Sequence, residues 1–323
     1  MSSFDASSLT AAGLSGVPRS ITPSSLKQTV RDCIALGKPN IAFMAAIVAG
    51  GTWLLSAPVV DMTTLVRGFF GVCGVAFIVM GAGALNMLIE RDVDALMTRT
   101  KDRPLAAGRM APTTALVIGA LWCLLSLPLL LSFGNALTAG LALFSLFLYV
   151  LVYTPMKRTS PWSLVVGAVP GAMPALMGGT LATGQVGVAG VAMFTIVFIW
   201  QLPHFLAISL YREPEYVRAG HKLFPTVLGL EATKVLIAVT TVLVCALSVA
   251  LWPLGLGGVA YAVVAVAVGL WFSATALSRF RVRKSGRADD DVWAKRVFIG
   301  SLVWQTVVFG ALGVDRSLVL LAS

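Results

Sequence analysis

Long apolar runs, interrupted by short polar segments, dominate the pattern of this 323-residue chain. A run of about 20 apolar residues matches one membrane-crossing helix. Three runs have that length, and three are about twice as long, each with a Gly-, Pro- or Asn-containing break that predicts two helices. The pattern therefore predicts nine transmembrane helices within six charge-free runs, which are 39–60, 68–89, 110–156, 159–211, 235–278 and 297–314.

Composition supports this architecture. Hydrophobic residues make up 58% of the chain and charged residues 12%, with a mean hydropathy of +0.89. An ordinary soluble domain carries about 25% charged residues, so one large soluble core is excluded. The four cysteines have neither metal-ligand nor disulfide spacing, and we expect them to fill apolar space. The fold class predicted is an all-α, polytopic membrane protein.

Basic residues fall mainly on one side of the predicted topology. If the N-terminus is cytosolic, 22 of the 24 Lys and Arg residues lie on the cytosolic side, and only Arg67 and Arg316 lie outside. This asymmetry follows the positive-inside rule. The net charge of +10 therefore reflects topology and membrane lipid, and no nucleic-acid partner is expected.

The two ends of the chain differ in character. Residues 1–38 are rich in Ser and Thr and predict a flexible cytosolic tail with a short surface helix near 24–36. Residues 39–323 form the nine-helix domain. The tail lacks the apolar core of a signal peptide and the Arg-rich amphipathicity of a transit peptide. We therefore expect a bacterial cell (inner) membrane, with the chemistry at the cytosolic ends of the helices.

The densest chemistry follows the second predicted helix. Asn86, Glu90 and Asp94 are four residues apart, so on a helix they fan over one face within about 80°. Mg²⁺ prefers oxygen ligands, usually one or two carboxylates completed by substrate phosphates and water. Asp92 offers a further carboxylate on another side. A solvated helix end is the alternative, but Asn86 lies within an apolar run, where a polar side chain is costly. The stretch predicts a metal-and-polyphosphate site, with phosphate held by Arg99, Lys101 and Arg103.

This stretch resembles the N-x-x-x-D-x-x-x-D signature of the UbiA-type membrane prenyltransferases, with Glu90 where the signature usually has Asp. Within that superfamily, several segments resemble the heme O synthases, also called protoheme IX farnesyltransferases. Quinone-type members carry a second Asp-rich motif after the sixth helix, where this chain has only Glu213 and Glu215, so a second metal site stays open. The segments are NMLIERDVDALMTRTKDRPL (86–105), YTPMKR (153–158), GAVPGAMPALMG (167–178), WQLPHF (200–205) and YREPEY (211–216).

The resemblance implies a nine-helix enzyme that uses Mg²⁺ to ionise farnesyl diphosphate. The farnesyl group would pass to the 2-vinyl group of heme B and give the hydroxyethylfarnesyl side chain of heme O. Heme A synthase or a terminal-oxidase assembly would be a partner. A sibling enzyme with a quinone, chlorophyllide or lipid acceptor is the nearest alternative. A transporter is the other class, but transporters place ionisable groups near the bilayer centre, whereas the charges here flank the predicted helices.

Residue roles follow from the same resemblance. Catalysis is assigned to Asn86, Glu90 and Asp94, and metal binding to these three together with Asp92. His204 is a candidate for heme binding, because imidazole is a common axial iron ligand. A hydrogen-bonded core histidine is the alternative. Lys157 and Arg158 are either topology determinants or contacts to heme propionates or diphosphate. The diphosphate-binding set is Arg99, Lys101, Arg103, Lys157 and Arg158.

Overall fold

The computed structural model of the protein describes residues 25–281 and 286–322, and within these ranges it contains helices and no strands. In chain order the helices are α1 (Leu26–Leu36), α2 (Pro39–Ser56), α3 (Met62–Ile89), α4 (Arg91–Asp94), α5 (Pro112–Phe133), α6 (Ala136–Phe147), α7 (Thr154–Met156), α8 (Ser163–Thr183), α9 (Val188–Tyr211), α10 (Glu213–Arg218), α11 (Phe224–Leu228), α12 (Leu230–Val249), α13 (Val259–Leu277) and α14 (Arg287–Ala322).

Nine helical spans in the described part of the chain are long and apolar enough to cross a membrane, as predicted. The fourth is composite, because α6 continues through a π-helical segment, Leu148–Tyr153, into α7. The predicted breaks within the long runs are the turns between spans. The spans are α2, α3, α5, Ala136–Met156, α8, α9, α12, Val259–Phe280 and Arg287–Leu320.

Local sequence sets the ends of these spans. Asp61 and Thr64 form a capping box at the start of α3, and the Asn135 side chain caps α6 by accepting from the Thr138 N–H. At the end of α8, Gly184 adopts φ +73°, a left-handed conformation that glycine enters without steric cost. Asn135 and Gly184 thus explain where the runs 110–156 and 159–211 divide.

The last span is longer than the predicted 297–314, because its charged first turns are helical. Asp290 is 2% exposed and accepts from Lys234 of α12 at 2.9 Å and from Arg279. Because this carboxylate is paired with two cations, it can be buried, and the helix can include it. The charged residues Asp289, Asp290 and Asp291, which precede the predicted span, therefore lie inside α14.

Two apolar clusters hold the bundle together. The larger joins α8, α9, α12, α13 and α14 around buried Tyr261, Phe272 and Trp304. The second joins α2, α3, α5, α6 and α8. Helices α2 and α8 approach closely at Gly178, where an added Cβ would lie 2.1 Å from the carbonyl oxygen of Ala49. This close contact helps to unite the two halves of the bundle.

Candidate functional site

Three oxygen-bearing side chains lie where α3 passes into α4. Asn86 belongs to the last turn of α3, Glu90 separates the two helices and Asp94 ends α4. The N–H of Glu90 donates to the Asn86 carbonyl at 2.9 Å, and the N–H of Asp94 donates to the Glu90 carbonyl at 2.8 Å. The helical path thus continues, and the three residues follow one another at intervals of about one turn. Asn86 is 1% and Asp94 3% exposed, so the group is buried.

Each carboxylate of this group has its own cation. Lys157 Nζ donates to both oxygens of Glu90 at 2.8 and 3.0 Å. Arg103 donates to both oxygens of Asp94 at 2.8 and 2.7 Å, with one guanidinium nitrogen shared between them. The structure therefore brings five predicted site residues into one cluster, which we call the ion cluster: Asn86, Glu90, Asp94, Arg103 and Lys157.

A third cation, Lys38, completes the ion cluster, although the sequence predicted it to lie in the flexible tail 1–38. Its Nζ donates to Oδ1 of Asn86. Lys38 is the one non-glycine with positive φ in the described ranges (47°), at the N-cap of α2. Burial, together with the charges of Arg103 and Lys157, lowers its pKa to about 7. The sequence signal was the Gly37–Lys38–Pro39 run, since Gly and Pro flank a turn at a helix start.

Polar contacts from the fourth span hold Asn86 in one orientation. Its Nδ2 donates to the hydroxyl of Thr154 at 2.9 Å, and this hydroxyl donates to the carbonyl of Tyr149 at 2.7 Å. The π-helical segment produces this arrangement, because the N–H of Thr154 also bonds five residues back to the Tyr149 carbonyl. Such segments are frequent at functional sites. Nδ2 also donates to Oε2 of Glu90 at 3.0 Å, and Lys38 donates to Oδ1, so the donors and the acceptor of the Asn86 amide all have partners.

Charge neighbours set the protonation of the Glu90–Lys157 pair. Burial alone would raise the pKa of Glu90, but Lys157 and Lys38 outweigh it and lower that pKa. Burial likewise opposes the charged form of Lys157, yet the neighbouring Tyr153 and Glu90 raise its pKa above the ordinary value. Lys157 also lies over the ring of Tyr153, 4.4 Å from the centroid. Both groups are ionised at neutral pH.

The donor set of the ion cluster fits Mg²⁺. It offers one amide oxygen and two carboxylates, and Mg²⁺ takes one or two carboxylates when phosphates complete its shell. No group of three His, Cys, Asp or Glu side chains able to hold a metal occurs in ranges 25–281 and 286–322. A closed cage built from protein alone is therefore not present there. The fit is to a metal shared with a substrate phosphate.

Four other predicted residues lie outside the ion cluster. The side chain of Asp92 is 89% exposed, and its nearest cation is Arg91 at 3.6 Å. Arg99 is exposed and tied through its backbone N–H to Oε1 of Glu215 at 3.0 Å, which holds the loop after α4 against α10. Asp92 points away because it lies two residues from both Glu90 and Asp94 on the same helical path. Lys101 and Arg158 are also exposed.

His204 lies in a separate cluster between α9 and α14. Its Nδ1 is 2.8 Å from the hydroxyl of Ser301, which itself donates to the Phe298 carbonyl at 2.6 Å. The hydroxyl hydrogen is thus used, so Nδ1 carries the proton and Nε2 keeps its lone pair. Trp200 stacks on the imidazole with ring centroids 4.8 Å apart. No described contact joins His204 to the ion cluster.

Comparison with known proteins gives concordant matches. The profile of the UbiA prenyltransferase family matches residues 43–302. The protoheme IX farnesyltransferase of Anaeromyxobacter dehalogenans is 46% identical over 288 residues, which cover 89% of this chain and 94% of that protein. A digeranylgeranylglyceryl phosphate synthase structure superposes with a TM-score of 0.74 at 16% identity, covering 90% and 99% of the two chains. The UbiA homologue from Archaeoglobus fulgidus bound to DMAPP and Mg²⁺ gives 0.63 at 17%, covering 88% and 99%.

Proposed function

Because the chain belongs to the UbiA prenyltransferase family, we propose that it transfers the farnesyl group of farnesyl diphosphate to heme B and so makes heme O. The observation that carries this proposal is the 46% identity with a protoheme IX farnesyltransferase over nearly the whole of both chains. Membership of a prenyltransferase family also removes the transporter alternative. The acceptor is the part of the proposal that requires an assay.

The ion cluster is proposed as the diphosphate end of the site. Lys38, Arg103 and Lys157 bring three partly buried ammonium or guanidinium groups to one place. As the bond between the allylic carbon and the diphosphate oxygen breaks, negative charge grows on the departing oxygens. Cations already in position lower the energy of that charge without reorganising water. Exposed Arg99, Lys101 and Arg158 would attract the diphosphate and guide it inward.

Asn86, Glu90 and Asp94 are proposed to hold Mg²⁺ together with the substrate diphosphate. The bound metal would supply Lewis-acid neutralisation of the phosphate oxygens. In the structure Lys157 and Arg103 already pair with the two carboxylates, and Lys38 donates to the Asn86 amide oxygen. Metal binding would therefore require these three cations to turn toward phosphate, which their long side chains allow. The A. fulgidus homologue bound to DMAPP and Mg²⁺ supports metal use in this family.

The chemistry at the acceptor follows from the allylic cation that forms when the diphosphate leaves. The allylic cation left after diphosphate departure is attacked by the 2-vinyl group of heme B, and water then adds to the cation formed beside the porphyrin. An apolar helical bundle suits this sequence, because it shields the first cation from early capture by water. Diphosphate leaves on the side of the ion cluster.

His204 is proposed to bind the heme. Its neutral imidazole with an unprotonated Nε2 is the form that ligates heme iron, and the Ser301 hydroxyl selects that form. The rings of Trp200 and Phe298 pack against the imidazole, with centroids 4.8 and 4.7 Å from it. If His204→Ala retained the heme-binding spectrum and turnover, His204 would be only a hydrogen-bonded residue of the α9–α14 contact. Ser301→Ala is the matched variant that removes the tautomer preference and leaves the imidazole.

One assay tests the function directly. Purified protein in lipid is incubated with farnesyl diphosphate, heme B and Mg²⁺, and heme O is identified by mass. We expect heme O in the complete mixture and none with EDTA, with turnover restored by added Mg²⁺. Product from a quinone, chlorophyllide or lipid acceptor, in place of heme, would assign the chain to a sibling activity. Retained turnover in Asp94→Ala would count against the metal role of the ion cluster.

The setting of the reaction is proposed from the topology. The distribution of Lys and Arg supports a cytosolic N-terminus and a cytosolic ion cluster in the cell membrane. Thiol labelling of an Arg158→Cys variant, in intact cells and in inverted vesicles, tests on which side of the membrane this residue lies. Heme A synthase or a terminal-oxidase assembly is proposed as the consumer of the product, since heme O is poorly soluble in water. Co-purification of either with this protein tests that partner.

A further inference from the structure

Helix α1 has an inner face that is fully engaged with the protein. Leu36 is buried in a cluster with α3, α5 and the loop between α4 and α5. Asp32 accepts from Arg109 through both carboxylate oxygens at 2.9 and 3.0 Å. Gly37 lies so close to Met80 and Trp122 that an added Cβ would be 2.9 and 3.1 Å from them. Helix α1 is therefore a docked element of the fold.

The outer face of α1 is apolar and has no protein to cover it in the described ranges. Leu26, Val30 and Ile34 are 82%, 51% and 52% exposed. Their spacing of four residues forms one stripe along the helix. At about 100° per residue, Lys27 and Arg31 lie along one edge of that stripe. An apolar stripe flanked by basic residues is typical of helices that lie in a membrane interface.

The position of α1 along the membrane-spanning helices also indicates the membrane interface. Helix α3 has 28 residues, which at about 1.5 Å per residue extend beyond a hydrocarbon core of about 30 Å. Met80 lies nine residues before the end of α3, about 14 Å inward, so its neighbour Gly37 lies near that end of the span. Asp32 meets Arg109, three residues before α5 begins. Helix α1 thus lies at the level of the ends of the spans.

We propose that α1 is an interfacial helix whose stripe of Leu26, Val30 and Ile34 inserts among lipid acyl chains at the bilayer surface. Lys27 and Arg31 then face anionic headgroups, which attract basic residues at the membrane surface. Lipid is the occupant favoured over a second protein, because α2 follows after two residues and presents further exposed apolar side chains to the bilayer, beginning with Ile41. This anchoring also has a consequence for the ion cluster, since the turn between α1 and α2 aims Lys38 at Asn86.

Fluorescence quenching in the full-length protein tests the proposal without reference to turnover, so its outcome is separate from that of the proposed function. A genetically encoded fluorescent amino acid is placed at position 30 in one protein and at position 31 in a matched control. Both positions are exposed, so the label should be accommodated in each. Each protein is reconstituted in phosphatidylcholine–phosphatidylglycerol vesicles with and without brominated acyl chains.

We expect brominated lipid to quench the label at position 30 about twofold more than the label at position 31, because only the stripe enters the acyl region. Equal quenching at the two positions would overturn the proposal. A photoreactive amino acid at position 30 provides the second measurement and should cross-link to lipid. Cross-linking to a second copy of the chain or to another protein would also overturn it.

Discussion

The side-chain amide of Asn86 donates to the hydroxyl of Thr154 at 2.9 Å, joining the end of α3 to the fourth span. Thr154→Val removes this acceptor, while Thr154→Ser keeps it. We expect Thr154→Val to lower kcat/KM for farnesyl diphosphate about tenfold, because Asn86 is proposed as a metal ligand and a residue that orients such a ligand commonly contributes that much. Steady-state kinetics with heme B provide the measurement. Equal activity of the Val and Ser variants would show that this hydrogen bond does not orient Asn86 for catalysis.

Removing Arg103 should destabilise the protein. Arg103→Ala leaves the Asp94 carboxylate buried without its cation, which costs about 3 kcal/mol of unfolding free energy. Thermal unfolding in detergent measures the change as a lower Tm. Adding Asp94→Asn to the variant should restore part of the loss, since a neutral amide is less costly to bury. Arg158→Ala, at an exposed site, is the control and should change Tm little.

Two substitutions at Lys38 separate its backbone role from its charge. Lys38→Gly and Lys38→Ala both remove the ammonium group, so both should raise KM for farnesyl diphosphate about tenfold by loss of a charge-assisted contact. Glycine enters the left-handed conformation freely and alanine does not, so the Ala variant should be about 1 kcal/mol less stable. Unchanged KM in both variants would remove Lys38 from diphosphate binding.

The Asp32–Arg109 pair predicts a loss of stability in acid. Hydrogen bonds from Arg109 lower the pKa of Asp32 below its ordinary 3.8, although burial opposes the shift. The folded protein therefore binds fewer protons at this site than the unfolded chain, and the contribution is present above about pH 4 and lost as pH falls through the folded-state pKa. Asp32→Asn should lower Tm at pH 7, with the difference from wild type narrowing below pH 4. A constant difference across that range would contradict the prediction.

Local features of the sequence were sufficient to predict the bundle. Hydropathy and turn residues are read over a few positions, and they identified the nine spans together with the turns near Asn135 and Gly184. The last span was predicted too short, because the charge of Asp290 is neutralised by Lys234, which lies far away in sequence. Charge patterns indicate exposure only when the partner of each charge is known.

The sequence predicted which oxygen-bearing side chains lie together at the candidate site but not which cations contact them. A spacing of four residues was enough to group Asn86 with Glu90 and Asp94. The pairing of Lys157 with Glu90 spans 67 residues of sequence, and that of Lys38 with Asn86 spans 48. Contacts between different helices depend on how the helices pack, which no local pattern encodes. Lys38 was missed for this reason.

The π-helical segment Leu148–Tyr153 makes the length of the fourth span a constraint in its own right. A π turn holds one residue more than an α turn, and it precedes Pro155, whose ring would otherwise meet the Leu151 carbonyl. Deleting one residue there would rotate the following turn by about 100° relative to the preceding helix. The side chains of Thr154 and Lys157 would then no longer face Asn86 and Glu90. Evolution can therefore exchange side chains on the outer face of this span far more freely than it can change the number of residues in it.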